Sequence, residues 1–334
     1  MNASIPFYLS YHVVLYLVVV LSVLRLKGAP VVFVAAAVLM GITCELSLPG
    51  ADLEWYRWRF EETDWDSFLL VALEQDFEFA WFLGAILVKN IFGDLASPGL
   101  FLFLIVCFPL LFRSARENIW VFALFLFFPG TFLVMNNVIR QGFSEYILLL
   151  GLVTGRVGIQ LSSLAFHRFG GFVSMLYVAE RYLRSRARMV AAVCTLFVGV
   201  VCYKFFMPEG MTDIYSTLVF SPLSFAVKMA TVLLPFAYVK LFYSWEEILD
   251  MAQGRFAILM IASAFGFLIL SGRMADRTVF FVLPVTLSAM RVDRGGGWAK
   301  IAFASVVLIL GMSSMMLASH QIYFFDGVGA GGAH

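Results

Sequence analysis

The sequence predicts an all-α, polytopic integral membrane protein. Of its 334 residues, 62% are hydrophobic and only 13% are charged, whereas soluble domains are roughly half apolar and about a quarter charged. The mean hydropathy is +0.91, and Phe alone contributes 36 residues. A soluble core could not bury this much apolar surface, so we expect the bilayer to be the solvent of most helices.

Charge and cysteine usage disfavour several other classes of protein. The chain has 23 basic and 22 acidic residues and a formal net charge of +1. The sequence shows no basic stripe of the kind that nucleic-acid-binding proteins carry. The four cysteines lack C-x-x-C spacing and lie in apolar runs, as small buried side chains do. No Lys or Arg precedes the first apolar run, so that run is predicted to remain as a span and not to be a cleaved signal peptide.

Apolar runs follow one another along nearly the whole chain. A transmembrane helix needs about 20 apolar residues and a re-entrant segment needs fewer, which together predict about 11–13 transmembrane or re-entrant helices. They form a single predicted transmembrane domain over residues 1–318, followed by a Gly-rich mobile tail at 319–334. The runs are 7–24, 30–48, 77–92, 99–112, 119–135, 141–155, 157–180, 189–206, 222–243, 255–271, 277–290 and 298–318.

The basic residues of short loops set the orientation, because such loops favour the cytoplasm. Arg25 and Lys27 place the first loop inside, so the acidic loop at 49–76 is predicted to lie outside. Ten of the 22 acidic residues fall between Glu45 and Glu78. Further loops predicted to be cytoplasmic carry Arg113, Arg116, Arg156 and Lys300.

Two segments do not fit simple alternation. Residues 66–92 must begin and end outside, as an interfacial helix followed by a re-entrant segment. Residues 157–180 have basic residues predicted to be cytoplasmic at both ends, which predicts two half-helices that turn near His167. Gly170 and Gly171 permit such a turn, which is tolerated at membrane depth where it lines a cavity. A single span with some basic residues outside is the alternative.

Polar residues at membrane depth are functional candidates because they are costly there. Four stretches of the predicted topology bring such residues to one outer-leaflet cavity. Guanidinium groups suit phosphate and pyrophosphate oxygens, although interfacial arginines that snorkel and pair with acids are the alternative. The candidates are Asp52, Tyr56, Asp76, Glu78, Asn136, Asn137, Arg140, Gln141, His167, Arg273, Asp276 and Arg277.

Helical spacing groups several of these candidates. Asn136, Asn137 and Arg140 share one helical face, and Arg273 and Arg277 are separated by four residues. An imidazole at position 167 suits a general base or a hydrogen-bond donor. The alternative is a capping histidine that satisfies the backbone at the turn.

Acidic pairs in the outer loop could hold a divalent cation through carboxylate oxygens. Pairs at this spacing are expected by chance among so many acids, and a solvated loop is the simpler interpretation for Asp64 and Asp66. Asp76 and Glu78 differ because they interrupt an aromatic run. We therefore predict no bound metal and no cofactor.

The run from Phe132 to Leu152, FLVMNNVIRQGFSEYILLLGL, resembles the N-x-x-R-Q signature of the EpsG family of Wzy-type bacterial polysaccharide polymerases. Asp52 and Tyr56 resemble the Asp and Tyr of that family's acidic outer loop. The order and spacing of the motifs fit from about residue 1 to 290. Further matches are Asp76–Phe79 for a Glu-Gly-Phe-like segment, Leu164–His167 for an apolar segment ending in His-x-Ser, and Arg277–Phe281 for an Arg that leads into an aromatic span.

The resemblance is incomplete at two motifs. Arg168 and Phe169 stand where the family has x-Ser after the histidine, and the Glu-Gly-Phe element is altered. Arg140 and Gly151 also match the R-x10-G pattern of O-antigen polymerases. With 26 glycines in the chain, this last match has little weight.

The resemblance implies a GT-C-like arrangement of helices that transfers a growing glycan from undecaprenyl pyrophosphate to a new lipid-linked repeat unit. It implies the bacterial inner membrane, with the active site facing the periplasm or exterior. Undecaprenyl-pyrophosphate-linked oligosaccharides and membrane lipid are the expected partners, with a flippase and a chain-length regulator as candidates and no nucleic acid.

Roles for individual residues follow from that reaction. Arg140 and Arg277, supported by Arg273, would bind pyrophosphate, where cations stabilise the developing charge. His167 is the first candidate base, followed by Asp76 and Glu78. The residues that would orient the substrates are Asn136, Asn137, Gln141, Asp52, Tyr56 and Asp276.

Two other functions stay open. A GT-C-type transferase that uses a polyprenyl-phosphate sugar would need an outer-loop acid, such as Asp64 or Asp66, as base or metal ligand. A lipid-linked oligosaccharide flippase or another transporter would line both halves of the membrane with charge, whereas the unusual charges here are predicted to lie outside.

Overall fold

The regular structure of the protein is helical throughout its described part. The computed structural model describes residues 4–46, 51–70, 79–129, 131, 135, 139–167, 169–170, 222–270, 272–290 and 295–329, with isolated positions between 173 and 194. The predicted all-α class is confirmed for these residues.

Most helices begin and end close to the predicted apolar runs, but those at Ala51–Glu62, Arg113–Glu117 and Trp245–Asp250 lie outside every run. Short 3-10 turns follow three of them, at Gly93–Leu95, Phe108–Leu111 and Ser163–Ala165. The helices are α1 (Ser4–Val23), α2 (Ala29–Leu46), α3 (Ala51–Glu62), α4 (Phe79–Phe92), α5 (Pro98–Cys107), α6 (Arg113–Glu117), α7 (Ile119–Phe127), α8 (Ile139–Thr154), α9 (Val157–Ser162), α10 (Pro222–Phe242), α11 (Trp245–Asp250), α12 (Ala252–Leu270), α13 (Gly272–Ala289) and α14 (Gly297–Gly329).

The ends of α7 and α14 are among those that differ from the predicted runs. Helix α7 ends at Phe127, short of the predicted 135, because Phe128 is extended and the residue before a proline, here Pro129, disfavours helical backbone. Helix α14 continues to Gly329, beyond the predicted end at 318.

By length and composition, Phe225–Phe242 is the one helix in the described ranges that is able to cross a membrane alone. Phe79–Leu95 and Pro98–Leu111 meet the same criterion together, but they are bent by 116°. Several apolar helices are shorter than a single span requires. They lie at Leu9–Val23, Ala29–Glu45, Ala252–Leu268, Thr278–Ala289 and Gly297–Ser313.

The chain forms two compact units. The first comprises Met1–Val71, Phe82–Gly142 and Gly295–His334, and the second comprises Ala72–Trp81 and Phe143–Arg294. Each is described by itself below.

In the first unit, α1 packs against α2, α7 and α14, and α2 also packs against α5. The buried Tyr11 hydroxyl donates to the Leu126 carbonyl oxygen at 3.1 Å, which removes the cost of burying it. Helices α2 and α5 approach closely at two glycines, because a β-carbon on Gly41 would lie 2.8 Å from the Gly99 carbonyl oxygen. Small residues at helix crossings are typical of membrane bundles.

In the second unit, α13 packs against both α12 and α10. The Thr286 hydroxyl of α13 donates to the Val232 carbonyl oxygen of α10 at 3.1 Å. Helix α10 also contains Pro235, whose missing N–H leaves the Thr231 carbonyl oxygen without its helical donor. The apolar core of this unit includes Phe256, Met260, Val279 and Phe281.

Candidate functional site

The first group of candidate residues joins Arg140 to Tyr56 within the first unit. The Arg140 Nε–H donates to the Tyr56 hydroxyl at 3.1 Å, and the Arg140 Cζ lies 5.5 Å from the centre of the Tyr56 ring. Tyr56 is 4% exposed, whereas Arg140 is half-buried. The hydroxyl and the ring therefore orient one side of the guanidinium, by a hydrogen bond and by cation–π attraction.

Tyr56 lies on α3, and two cations hold that helix in place. Arg57 donates to the carbonyl oxygens of Cys44 at 2.6 Å and Glu45 at 3.0 Å. Lys89 donates to the carbonyl oxygen of Glu61 at 3.0 Å and also to that of Thr63. These carbonyls are at the C-terminal ends of α2 and α3, where cations complement the helix dipole.

An acid provides the opposite interaction at the start of α5. The Glu45 carboxylate accepts the Gly99 N–H at 2.6 Å, and the Ser97 hydroxyl caps the same helix by accepting the Leu100 N–H at 3.1 Å. Glycine is required at position 99, because a β-carbon there would lie 2.5 Å from the Gly41 carbonyl oxygen and from Glu45 Oε1. The basic and acidic residues near α3 thus have structural partners at helix ends.

The outer-loop acid Asp64 forms a local turn. Its carboxylate accepts the Ser67 N–H at 2.8 Å, and the Ser67 hydroxyl accepts the Asp64 N–H at 3.0 Å. These hydrogen bonds, the backbone N–H of Ser67 foremost, lower the pKa of the Asp64 carboxyl below its ordinary value. The turn explains Asp64 as a structural residue.

The second group of residues surrounds His167 in the second unit. Helical structure stops after Ala165, and Phe169 is helical again, so the helix is interrupted at His167, while the predicted turn of two half-helices there stays a prediction. The His167 side chain is 7% exposed, and its Nδ1 accepts the Phe169 N–H at 3.2 Å. A neutral imidazole with an accepting Nδ1 has its proton on Nε2, so Nε2 is a hydrogen-bond donor in this tautomer.

A glycine-lined hairpin supports the break. Gly155, at φ 69°, ends α8 in a Schellman motif, since the Arg156 N–H donates to the Gly151 carbonyl oxygen at 3.0 Å. A β-carbon on Gly151 would lie 2.5 Å from the Gln160 backbone nitrogen. The chain therefore reverses at Gly155 and runs back along α8.

Further along the hairpin, Ser144 and Ser163 meet. The Ser144 hydroxyl donates to the Ser163 carbonyl oxygen at 2.8 Å. A β-carbon on Gly170 would lie 2.7 Å from both atoms, so the segment after the break packs tightly against α8. This explains why a glycine follows His167.

Two motifs of the resemblance meet at the His167 break. The His167 ring lies 6.2 Å from that of Phe281, and the Phe169 ring lies 5.4 Å from the same ring. Phe281 belongs to α13, one helical turn after Arg277. The helix thus places the backbone of Arg277 near the contact with His167.

The side chains of most other predicted site residues are not described. Asn136, Asn137, Asp76 and Glu78 lie outside the described residues. Asp52 lies in α3, and Arg273, Asp276 and Arg277 lie in α13. Gln141, which follows Arg140 in α8, is 3% exposed.

Sequence reasoning missed two buried acids, Glu145 and Glu180. Each is at most 2% exposed, and each lies within or at the end of an apolar run, a signal that marks costly charge. Glu180 accepts from Arg255 Nε at 2.9 Å and from Nη2 at 2.6 Å. Arg255 Nη1 donates at 2.9 Å to the carbonyl oxygens of Leu249 and Asp250, so this pair also caps α11.

Within the described residues, no three His, Cys, Asp or Glu side chains lie close enough together to hold a metal ion. The first group can orient a cation beside an aromatic hydroxyl, and the second can present a buried imidazole N–H. Comparison with protein-family models, curated proteins and solved structures returns no match for the chain.

Proposed function

We propose that the chain is a membrane glycosyltransferase of the Wzy type, which polymerises undecaprenyl-pyrophosphate-linked repeat units at the outer leaflet of the bacterial inner membrane. The observation that carries the proposal is the hydrogen bond between Arg140 and Tyr56. It joins the N-x-x-R-Q segment to the tyrosine of the acidic loop, two elements that the resemblance to EpsG-family polymerases had singled out separately.

Exposed apolar side chains support the membrane location. On α2, Val31, Val38 and Ile42 are exposed and share one helical face, while Ala36, Ala37 and Met40 are buried. On α14, Val306, Ile309 and Leu310 form a similar exposed stripe. Contiguous apolar faces of this kind are costly in water and suit lipid. The proposed architecture is a GT-C-like bundle of about 11–13 transmembrane or re-entrant helices, with α4 in the re-entrant segment and α5 crossing from the outer to the inner side.

The proposed reaction transfers a glycan between two lipid-linked substrates. A hydroxyl oxygen of the acceptor sugar bonds to the anomeric carbon of the donor, and the bond from that carbon to the pyrophosphate oxygen breaks. The hydroxyl proton passes to a carboxylate base, and undecaprenyl pyrophosphate leaves as an anion. A guanidinium stabilises that developing charge, which is the role assigned to Arg140.

The tautomer of His167 refines its role within this proposal. Because Nδ1 accepts the Phe169 N–H and Nε2 carries the proton of the neutral ring, the imidazole has no free lone pair with which to take a proton from a substrate. We therefore assign His167 as a hydrogen-bond donor to a substrate oxygen. The general-base role passes to Asp76 or Glu78, and Arg277 with Arg273 keeps the proposed pyrophosphate-binding role.

Lipid-linked intermediates in cells that express Arg140→Ala test the proposed function. Under the proposal, single repeat units accumulate on the outer leaflet and long chains disappear. Arg113→Ala is the matched control, because Arg113 lies in a highly exposed pair with Glu117 and its loss should leave chain length unchanged. Accumulation on the inner leaflet would indicate a flippase, and normal chain length in Arg140→Ala would overturn the proposal.

A further inference from the structure

Arg25 has an unusual backbone conformation for a residue with a side chain. Its φ is 59°. The other described residues with a positive φ, Gly93 and Gly155, are glycines. Arg25 follows α1 in a Schellman motif, since the Leu26 N–H donates to the Leu21 carbonyl oxygen at 2.8 Å. Glycine would avoid the steric penalty of this position, so the presence of an arginine here points to a role for its side chain.

The ends of three helices meet around Arg25 in the first unit. Gly297, at the start of α14, lies against Val23, because a β-carbon on it would be 3.1 Å from Val23 Cγ1. Lys300 follows on α14, and its Nζ lies 5.1 Å from the centre of the Trp120 ring on α7. Arg116 precedes Trp120 by four residues. One end of this unit therefore bears four cations, which we call the basic cluster: Arg25, Lys27, Arg116 and Lys300.

The basic cluster has little acidic compensation. Residues 20–30, 112–121 and 295–305 contain a single acid, Glu117, and that acid pairs with Arg113 at 2.9 Å. None of the four cations of the cluster makes an ion pair with a described residue. Just before α14, Asp293 is flanked in sequence by Arg291 and Arg294, so the sequence there adds no net negative charge.

Apolar and aromatic side chains surround the cations. Trp298 is 79% exposed, and Leu24 and Leu26 are about half exposed. Exposed tryptophan beside Lys and Arg is typical of the membrane interface, where the ring sits at headgroup level. The combination fits an amphiphilic anion better than a soluble one.

We propose that the basic cluster binds the phosphate of an acidic phospholipid headgroup in the cytoplasmic leaflet. Lys and Arg supply the charge complementarity, and Trp298 with the two leucines lies against the acyl-chain boundary. This inference rests on the membrane location within the proposed function, but it does not depend on glycosyl transfer.

Binding of phosphatidylglycerol and phosphatidylcholine to the purified full chain in neutral detergent, measured by native mass spectrometry, tests the site. The wild type should bind phosphatidylglycerol preferentially. Arg25→Gly should bind it about fivefold more weakly, and the double variant with Lys300→Gln about 25-fold more weakly, because each juxtamembrane cation contributes a similar increment. Arg156→Gln, which removes an exposed cation outside the cluster, should bind like the wild type.

Arg25→Gly removes the charge without disturbing the fold, because glycine adopts the left-handed backbone readily. Unchanged phosphatidylglycerol binding in Arg25→Gly and in Lys300→Gln would overturn the proposal, as would equal binding of the two lipids. Competition by inorganic phosphate at millimolar concentration would also overturn it, since a soluble anion would then occupy the site. Failure of the polymerase proposal would appear in the Arg140→Ala experiment and would leave these lipid affinities unchanged.

Discussion

The Nε–H of Arg140 donates a 3.1 Å hydrogen bond to the hydroxyl of Tyr56, a residue 84 positions earlier in the chain. The tyrosine is buried on α3, which Arg57 joins to the C-terminal end of α2 and whose own C-terminal end is bound by Lys89. Tyr56 is therefore placed to orient the guanidinium and not merely to line a surface. If Arg140 contacts the pyrophosphate, Tyr56 affects the reaction through Arg140.

Tyr56→Phe removes the hydroxyl and keeps the ring. We expect about fivefold slower polymerisation, because a hydrogen bond of this kind contributes about 1 kcal/mol. Tyr56→Ala also removes the cation–π contact and should slow the reaction further. Tyr16→Phe is the matched control, since the Tyr16 hydroxyl bonds to Ser305 at 2.8 Å in the same unit. The measurement is the rate of chain extension with a defined lipid-linked repeat unit, and equal rates in Tyr56→Phe and wild type would contradict the positioning role.

His167 can be tested with two amides that each copy one ring nitrogen. Asn presents an oxygen near the Nδ1 position, which keeps the acceptor for the Phe169 N–H. Gln presents an N–H near the Nε2 position, which keeps the proposed donor. We expect His167→Gln to retain more chain extension than His167→Asn, and His167→Asn to be the more stable of the two in thermal unfolding. The reverse order of activities would contradict the donor assignment.

The fold was largely predictable from the sequence because apolar runs and interrupting residues are local signals. The spans at 7–24, 30–48 and 222–243 correspond to α1, α2 and α10. The end of α7 at Phe127 was not predicted, because the apolar run continues past Pro129 and predicts a single helix. The proline disfavours helical backbone at Phe128 and so ends the helix earlier.

The candidate site was less predictable, because it depends on tertiary contacts. Spacing identified Arg140, and the acidic loop and the family resemblance identified Tyr56, but only the packing of α3 shows that the two side chains touch. The pattern at His167 left base, donor and cap open, and the acceptance of the Phe169 N–H by Nδ1 is a capping contact that depends on the folded backbone. Glu180 ends an apolar run, yet its partner Arg255 lies 75 residues away and no local pattern links them.

The Glu180–Arg255 pair should contribute strongly to stability. Removing one member of a buried pair leaves an uncompensated charge and typically costs about 3–5 kcal/mol. We expect Glu180→Ala to lower the free energy of unfolding by an amount of that order. Glu117→Ala is the control, because the exposed pair of Glu117 with Arg113 is worth about 0–1 kcal/mol. Equal losses in denaturant unfolding of the two variants would contradict the buried role.

Gly151 should be needed for the hairpin and not only for the R-x10-G pattern. Gly151→Ala places a β-carbon 2.5 Å from the Gln160 backbone nitrogen, and overpacking of this kind costs about 1–3 kcal/mol. Gly158→Ala meets open space and should stabilise α9 by about 0.5–1 kcal/mol. Thermal unfolding in detergent measures both, and a Gly151→Ala variant as stable as the wild type would rule out the close approach.

Asp64 separates the polymerase proposal from a metal-dependent transferase. Its pKa is lowered chiefly by the Ser67 N–H, so the ionised form is favoured in the folded chain. The turn is therefore fully supported above the unfolded pKa and is lost as pH falls through the lower, folded pKa. Ser67→Pro, which removes that N–H, should return the pKa of Asp64 towards its ordinary value in a carboxyl titration followed by NMR.

Asp64→Asn keeps an oxygen that accepts the same N–H, so chain extension should be unchanged, with or without chelator. Loss of activity in Asp64→Asn together with sensitivity to chelator would favour the transferase that uses a polyprenyl-phosphate sugar.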